Sequence, residues 1–240
     1  MTQIFAHRGS SGTEPENTMA AFEEAARVGA GGIEFDVQMT KDKELVVLHD
    51  ERVDRTTDGK GWVNQYTLKE LKTLNAGVKK KRVERIPTLS EVLDWSRSNR
   101  MLLNIELKTE VIQYPNIEKR TIEAVRHFGL TDRVIVSSFN HYSVEKVHEI
   151  DPNVDTAILF MEGLFEPWKY AKSIGASGLH YYWKVASPEF IEGAKEAGMA
   201  VRPFTVNRKP LIRKFIMAGC TGLFTDFPER ALQVRKKCLD

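Results

Sequence analysis

The sequence predicts an α/β chain folded as a (β/α)₈ TIM barrel with a small insertion after the second strand. Three observations point there. Short apolar runs alternate with amphipathic stretches from one end of the chain to the other, the pattern of parallel strands joined by crossover helices. Eight such runs fit within 240 residues, close to the roughly 250 that this barrel needs. The Gly-rich turn that follows the first strand of a dinucleotide-binding sheet is missing, which counts against the alternative of an open doubly wound sheet. The span 1–240 is expected to form one domain.

Strands are expected near 3–7, 32–37, 101–106, 133–137, 154–159, 177–180, 199–204 and 220–225. In the first helix Met19, Phe22 and Ala26 recur at helical spacing, and Asn17 stands where a cap belongs. About fifty residues separate the second strand from the helix near 89–98, where a βα loop takes about 2–6. This insertion, about 45–87, starts with an extra strand at Leu45-Val46-Val47-Leu48 and carries Gly59, Gly61 and Gly77 in loops. Thr67-Leu68-Lys69-Glu70 and Thr88-Leu89-Ser90-Glu91 are capping boxes, each opening a helix. Ser187-Pro188 reads as a cap followed by the first helical residue, and Asn207 as a further cap. Because the insertion follows a strand, it belongs on the C-terminal face, where insertions shape substrate pockets.

Net charge is +2, from 35 basic and 33 acidic side chains. No basic face is evident, so nucleic acid is not an expected partner, and the run Lys79 to Arg82 reads as a solvated loop. Cys220, in the last expected strand, and Cys238 form neither a disulfide framework nor a metal motif, which suits a reducing compartment. Met1-Thr2-Gln3 leads directly into the first strand without a basic start or long apolar stretch. No segment approaches the roughly 20 apolar residues of a membrane span. A cytoplasmic protein without stable membrane insertion is expected, as a monomer or homodimer.

Polarity inside strands marks the chemistry. In Ile33-Glu34-Phe35-Asp36-Val37 the apolar residues share one face and Glu34 and Asp36 the other. The apolar face must meet the helices, so both carboxylates point to the barrel axis. Leu103-Asn104-Ile105-Glu106-Leu107-Lys108 likewise sends Asn104, Glu106 and Lys108 inward. Burying such charges costs several kcal/mol each unless they are compensated. Three converging carboxylates suit one hard divalent cation, Mg²⁺ or Ca²⁺; a salt-bridge layer with Arg8 and Lys108 is the alternative. His7 and His49 end strands beside this cluster and can divide acid and base work between them. Arg8 can clamp a phosphoryl group and Lys108 adds a point charge. Asn17 begins a helix that could also help hold an anion. His180, Phe139, Phe204 and the stretch Tyr181-Tyr182-Trp183 lie at strand ends, where they either line a pocket or cover the barrel mouth. His127, His141 and His148 are expected at the surface or in packing.

The order His7-Arg8-Gly9, Glu14-Pro15-Glu16-Asn17-Thr18, Glu34-Phe35-Asp36-Val37 and His49-Asp50 resembles the glycerophosphodiester phosphodiesterase family. So do Ile105-Glu106-Leu107-Lys108, Ser138-Phe139, Thr205-Val206-Asn207 and Thr225-Asp226-Phe227-Pro228. The resemblance implies a TIM barrel that hydrolyses glycerophosphodiesters, such as glycerophosphocholine or glycerophosphoethanolamine, to glycerol 3-phosphate and an alcohol. It implies Glu34, Asp36 and Glu106 as metal ligands, His7 and His49 as acid/base pair, and Arg8 and Lys108 on the phosphate. Phe204 stands where family members often carry Trp, which bears on pocket shape. Two other readings are a barrel phosphodiesterase acting on lysophospholipids and a non-catalytic barrel binding phosphoryl ligands.

Overall fold

The computed structural model describes residues 1–239; Asp240, the last residue of the expected span, lies outside the described residues. In chain order the strands are β1 (Gln3–His7), β2 (Gly32–Met39), β3 (Leu45–Val47), β4 (Leu102–Leu107), β5 (Val134–Ser138), β6 (Asp155–Phe160), β7 (Gly178–Tyr182), β8 (Ala200–Phe204) and β9 (Gly222–Thr225). All except β3 pair in parallel, in the order β8-β7-β6-β5-β4-β2-β1-β9. At the seam between β8 and β9, Val206 N donates to Phe224 O at 2.8 Å and Val201 N to Thr221 Oγ1 at 3.1 Å. The result is a nearly closed barrel, and each predicted strand is present within two residues of its expected ends.

The helices are α1 (Met19–Arg27), α2 (Leu68–Leu71), α3 (Leu89–Ser96), α4 (Ile117–His127), α5 (His141–Ile150), α6 (Pro167–Ser173), α7 (Pro188–Glu196), α8 (Lys209–Met217) and α9 (Pro228–Leu239). Each connection between neighbouring wall strands carries a helix. Alternation along the strands explains why they pack as they do. Ile33, Phe35, Leu103 and Ile105 point outward and are fully buried under the helices with Phe22 of α1. Each such side chain is worth about 1.5–3 kcal/mol relative to exposure. Inside, Phe5, Ile135, Ala157 and Phe224 form a small apolar plug, with Phe5 and Phe224 ring centroids 5.2 Å apart. No helix among the described residues is long and apolar enough to cross a membrane.

The insertion is short on regular structure. β3 pairs antiparallel with β2, Val37 opposite Val47. Val46, Leu48, Val53, Val63, Leu71 and Ile86 give the insertion a core of its own. Both capping boxes form, Thr67 with Glu70 and Thr88 with Glu91, and Ser187 caps α7.

Some local expectations are corrected. Asn17 is not the cap of α1: it sits in the left-handed region with φ 57°, and Thr18 caps the helix instead. Asn207 is not the cap of α8, whose first flanking residue is Arg208. Both amides are drawn away by carboxylates at the barrel mouth, a stronger interaction than a cap. The run Lys79 to Arg82 is exposed but docked: Lys80 Nζ donates to Gly12 O at 3.0 Å and Arg82 pairs with Glu14. Cys220 precedes β9 rather than lying in it, buried against Tyr181.

Candidate active site

β2 and β4 carry the carboxylates. Asp36 and Glu106 are register partners, and Glu34 lies one alternation below Asp36. All three are buried, and ligand oxygens of the three lie within 4.8 Å of one another. Each has a donor from the chain. Arg8 N donates to Glu34 Oε2 at 2.8 Å, Asn17 Nδ2 to Asp36 Oδ2 at 2.8 Å, and Lys108 Nζ to Glu106 Oε1 at 2.9 Å. Arg8 Nε stands 3.6 Å from Asp36. The salt-bridge layer is therefore present, but it does not complete the cluster: Glu34 Oε1 and Asp36 Oδ1 are buried without a partner. Burial, then Asp36 and Glu106, push Glu34 well above the usual carboxylate range. Burial also raises Glu106 against the pull of Lys108. Burial would raise Asp36 as well, but His49, Arg8 and Lys108 outweigh it and hold the group low. Crowded carboxylates with orphaned oxygens are what an oxygen-ligated divalent cation relieves, so the residues fit such an ion.

His7 and His49 line the same cavity as this cluster, each backed by a carboxylate. His7 Nδ1 meets Asp226 Oδ1 at 2.7 Å, and His49 Nδ1 meets Asp50 Oδ1 at 2.6 Å. The two supports differ in kind. Asp226 is held by neutral donors, Asn207 Nδ2 at 2.6 Å and Ser11 Oγ at 3.1 Å. Asp50 is shared with a guanidinium, Arg55 Nε at 2.5 Å and Nη2 at 2.9 Å. Arg55 also forks onto Glu16 at 2.7 Å through both terminal nitrogens, and Glu16 in turn receives Arg8 Nη1 at 2.8 Å. Burial opposes ionisation of both aspartates. Hydrogen bonds from His49 and Arg55 to Asp50, and from His7, Asn207 and Ser11 to Asp226, overcome it and keep both below the ordinary range.

A cavity of about 360 Å³ opens over these groups. His7, Arg8, Glu34, His49 and Glu106 line its polar side, and Phe139, Leu159, Met161, Tyr182 and Phe204 the apolar side. Asn104, His180 and Phe224 also line it. Asp36 joins the cluster from behind this lining, and Tyr181 is instead buried in the outer core with Trp183 packed against it; two further predicted residues stand back from the cavity. Asn17 is buried behind Asp36, its amide committed to that carboxylate. Lys108 is buried beside Glu106 with its ammonium 5.8 Å from the Phe139 ring centroid. Phe204 meets Phe139 edge-on at 5.9 Å. The supporting residues Asp226, Asn207, Ser11, Glu16, Arg55 and Arg202 carry no catalytic or binding role in the sequence reading, where Asn207 figures only as a cap. Asp226 could have been found as the polar residue directly after the last strand; Arg55 leaves no signal, being one of several charges in a loop.

The site lies at the C-terminal ends of the strands, where barrel enzymes place their chemistry. Its carboxylate cluster, suited to a divalent cation, and its two histidines fit a barrel hydrolase equipped for displacement at phosphorus. Residues 7–230 match the glycerophosphoryl diester phosphodiesterase family. The chain is 46% identical over 239 residues to a glycerophosphodiester phosphodiesterase of Caldanaerobacter subterraneus subsp. tengcongensis, with 98% of each chain covered. It is 43% identical over 243 residues to one of Bacillus altitudinis, with 99% of each covered. Among solved structures, an Oleispira antarctica phosphodiesterase in complex with the product sn-glycerol-3-phosphate superposes with a TM-score of 0.88 at 30% identity, covering 98% of this chain and 97% of that one. The chain belongs to the glycerophosphoryl diester phosphodiesterase family.

Proposed function

We propose that this chain hydrolyses glycerophosphodiesters to glycerol 3-phosphate and an alcohol, with His7 and His49 as its acid/base pair. The observation that carries the reading is the convergence of three clustered buried carboxylates, two of which line the cavity, with two carboxylate-backed histidines in the same lining. Glu34, Asp36 and Glu106 would hold a divalent cation, Mg²⁺ or Ca²⁺, which would supply positive charge to the phosphoryl group. Arg8 faces the same cavity and neutralises phosphoryl charge from the side of β1, with Lys108 adding to the field from behind Glu106. Asn17 acts through Asp36, orienting it, rather than on substrate.

With Nδ1 of each histidine turned to its aspartate, Nε2 is left for the reaction. Asp226, held by neutral donors, stabilises the imidazolium that forms as His7 takes the proton of the nucleophile. Asp50 shares its charge with Arg55, which favours release of a proton from His49 to the leaving alcohol. The nucleophile is water, or the neighbouring glycerol hydroxyl by way of a cyclic phosphate. A cytoplasmic location fits the absence of any membrane-crossing helix among the described residues.

The test is release of glycerol 3-phosphate from glycerophosphocholine by purified protein, after chelation and again after adding Mg²⁺ or Ca²⁺. Activity lost with chelator and restored by one ion supports the reading and names the metal. No release under any metal condition overturns it.

A further inference from the structure

Opposite the carboxylates, on β7 and β8, the barrel interior holds a second polar pair. His180 and Arg202 are register partners, both inward-facing and buried. Arg202 Nη1 donates to His180 Nε2 at 3.1 Å. The guanidinium has no carboxylate at ion-pair distance among the described residues; it lies over the Phe5 ring at 5.8 Å, with Nε unpartnered. Burial lowers it to about 10, so it stays charged at neutral pH. Space for it is made by Gly178, where a Cβ would stand 3.0 Å from Arg202 Nη1 and 3.0 Å from Ala157 Cβ. Asp155 offsets part of that burial only from a distance, and a buried cation with no carboxylate in contact costs several kcal/mol.

Its consequence is a defined tautomer. A guanidinium has donors only, so His180 Nε2 must accept. Burial, and next the charge of Arg202, keep the ring neutral by lowering it well below the ordinary histidine value. The single ring proton is therefore on Nδ1. That N–H has no partner, although the residue is fully buried and belongs to the lining of the active-site cavity. On the other wall, Asn104 gives its amide nitrogen to Ser137 Oγ at 2.9 Å and leaves its Oδ1 unpartnered, in the lining of the same cavity. Asn104 is the register partner of Glu34 and stands two residues before Glu106 on β4, about 6.6 Å from it along the strand. Beside Glu34, the register partner of Asn104, and on the wall opposite it, the cavity lining thus holds one orphaned neutral acceptor and one orphaned neutral donor. Each costs about 1–3 kcal/mol if left unmet, and a hydroxyl is the group that both accepts and donates.

We infer that His180 and Asn104 form a hydroxyl subsite in the cavity lining for the terminal hydroxyl of the substrate's glycerol moiety, with Arg202 as the positioning residue that points the His180 proton at it. This rests on the hydrolysis proposed above and says what the site measures: the three-carbon diol on the Glu34 side of the phosphoryl group, rather than the headgroup alcohol. The apolar wall of Phe139, Met161, Tyr182 and Phe204 is left to the leaving alcohol.

A substrate–variant cycle tests it. Glycerophosphocholine is compared with 2-hydroxypropyl phosphocholine, which keeps the hydroxyl next to the phosphoester and lacks the terminal one. Wild-type protein should show a KM about 10–100-fold higher for the analogue. His180→Phe should show a similar rise for glycerophosphocholine and only a small further rise for the analogue, because the bond is already gone. Arg202→Met should behave like His180→Phe, and Arg202→Lys, which keeps a donor, should recover part of the loss. Losses that multiply across the cycle would mean that water alone, or nothing, meets His180, and the subsite would be withdrawn. The nitrogen-15 spectrum of histidine-labelled wild type provides a readout independent of how the variants fold: one neutral, Nδ1-protonated ring supports the assignment, and its absence overturns it. Wild type inactive on both substrates would instead refute the hydrolysis reading, a distinct result.

Discussion

Three histidines line one cavity, and they are prepared for opposite tasks. His7 and His49 are partly open to solvent and each turns Nδ1 to a carboxylate. His180 is closed off and turns Nε2 to a guanidinium. A carboxylate on the far nitrogen stabilises a second proton on the ring; a guanidinium opposes it. The same side chain is therefore suited to moving protons on one side of the barrel and to holding a proton still on the other. What decides between them is the strand that stands next door, β9 and the insertion for the first two, β8 for the third.

The largest effect expected of this contrast is on turnover. His7→Ala and His49→Ala should each lower kcat about 10²–10⁴-fold on glycerophosphocholine, whereas His180→Phe should act mainly through KM. Steady-state kinetics decide it, and a kcat loss for His180→Phe equal to those of the other two would dissolve the distinction. A smaller contrast lies within the catalytic pair. Asp226→Asn should lower kcat about 10²-fold or more, by analogy with carboxylates that orient an acid/base histidine. Asp50→Asn should cost about tenfold less than that, because Arg55 already balances much of the charge of Asp50. Equal losses would show that the guanidinium does not differentiate the two supports.

The smallest effect is on stability. His180 is charged below about 6.5 in the unfolded chain but is kept neutral in the fold by burial and Arg202. The unfolded state therefore binds the extra proton, and stability must fall as pH drops below that value. The groups facing the ring are Arg202 on β8, Leu159 on β6 and Phe224 on β9, so no carboxylate offsets the trend. Between pH 7 and 5 the wild type should lose about 2 kcal/mol more than His180→Phe, read from urea midpoints at the two pH values. Parallel losses in the two proteins would mean that His180 is protonated in the fold.

Much of this site is legible in the chain because β-strands alternate. Glu34 and Asp36 between Ile33, Phe35 and Val37 have one face to go to once the apolar residues face helices, and the same holds for Asn104 and Glu106. His7 and His49 could be read as residues at strand ends, and the insertion as a loop too long for its place. Asn17 and Asn207 cap no helix, for an equally physical reason. Their local sequence suits a cap, but the carboxylates that claim them, Asp36 and Asp226, are 19 residues away along the chain in each case.

By itself, then, the sequence determined the eight-fold alternation, the two capping boxes and the inward acidic face, since these depend on neighbours a few residues apart and on the period of a strand. Only the tertiary structure decided which group backs each histidine. Asp226 reaches His7 across 219 residues, and Arg202 reaches His180 across the ladder between β7 and β8. Closing a sheet into a barrel brings its first and last strands together, and the charge placed beside an imidazole there sets what the imidazole can do.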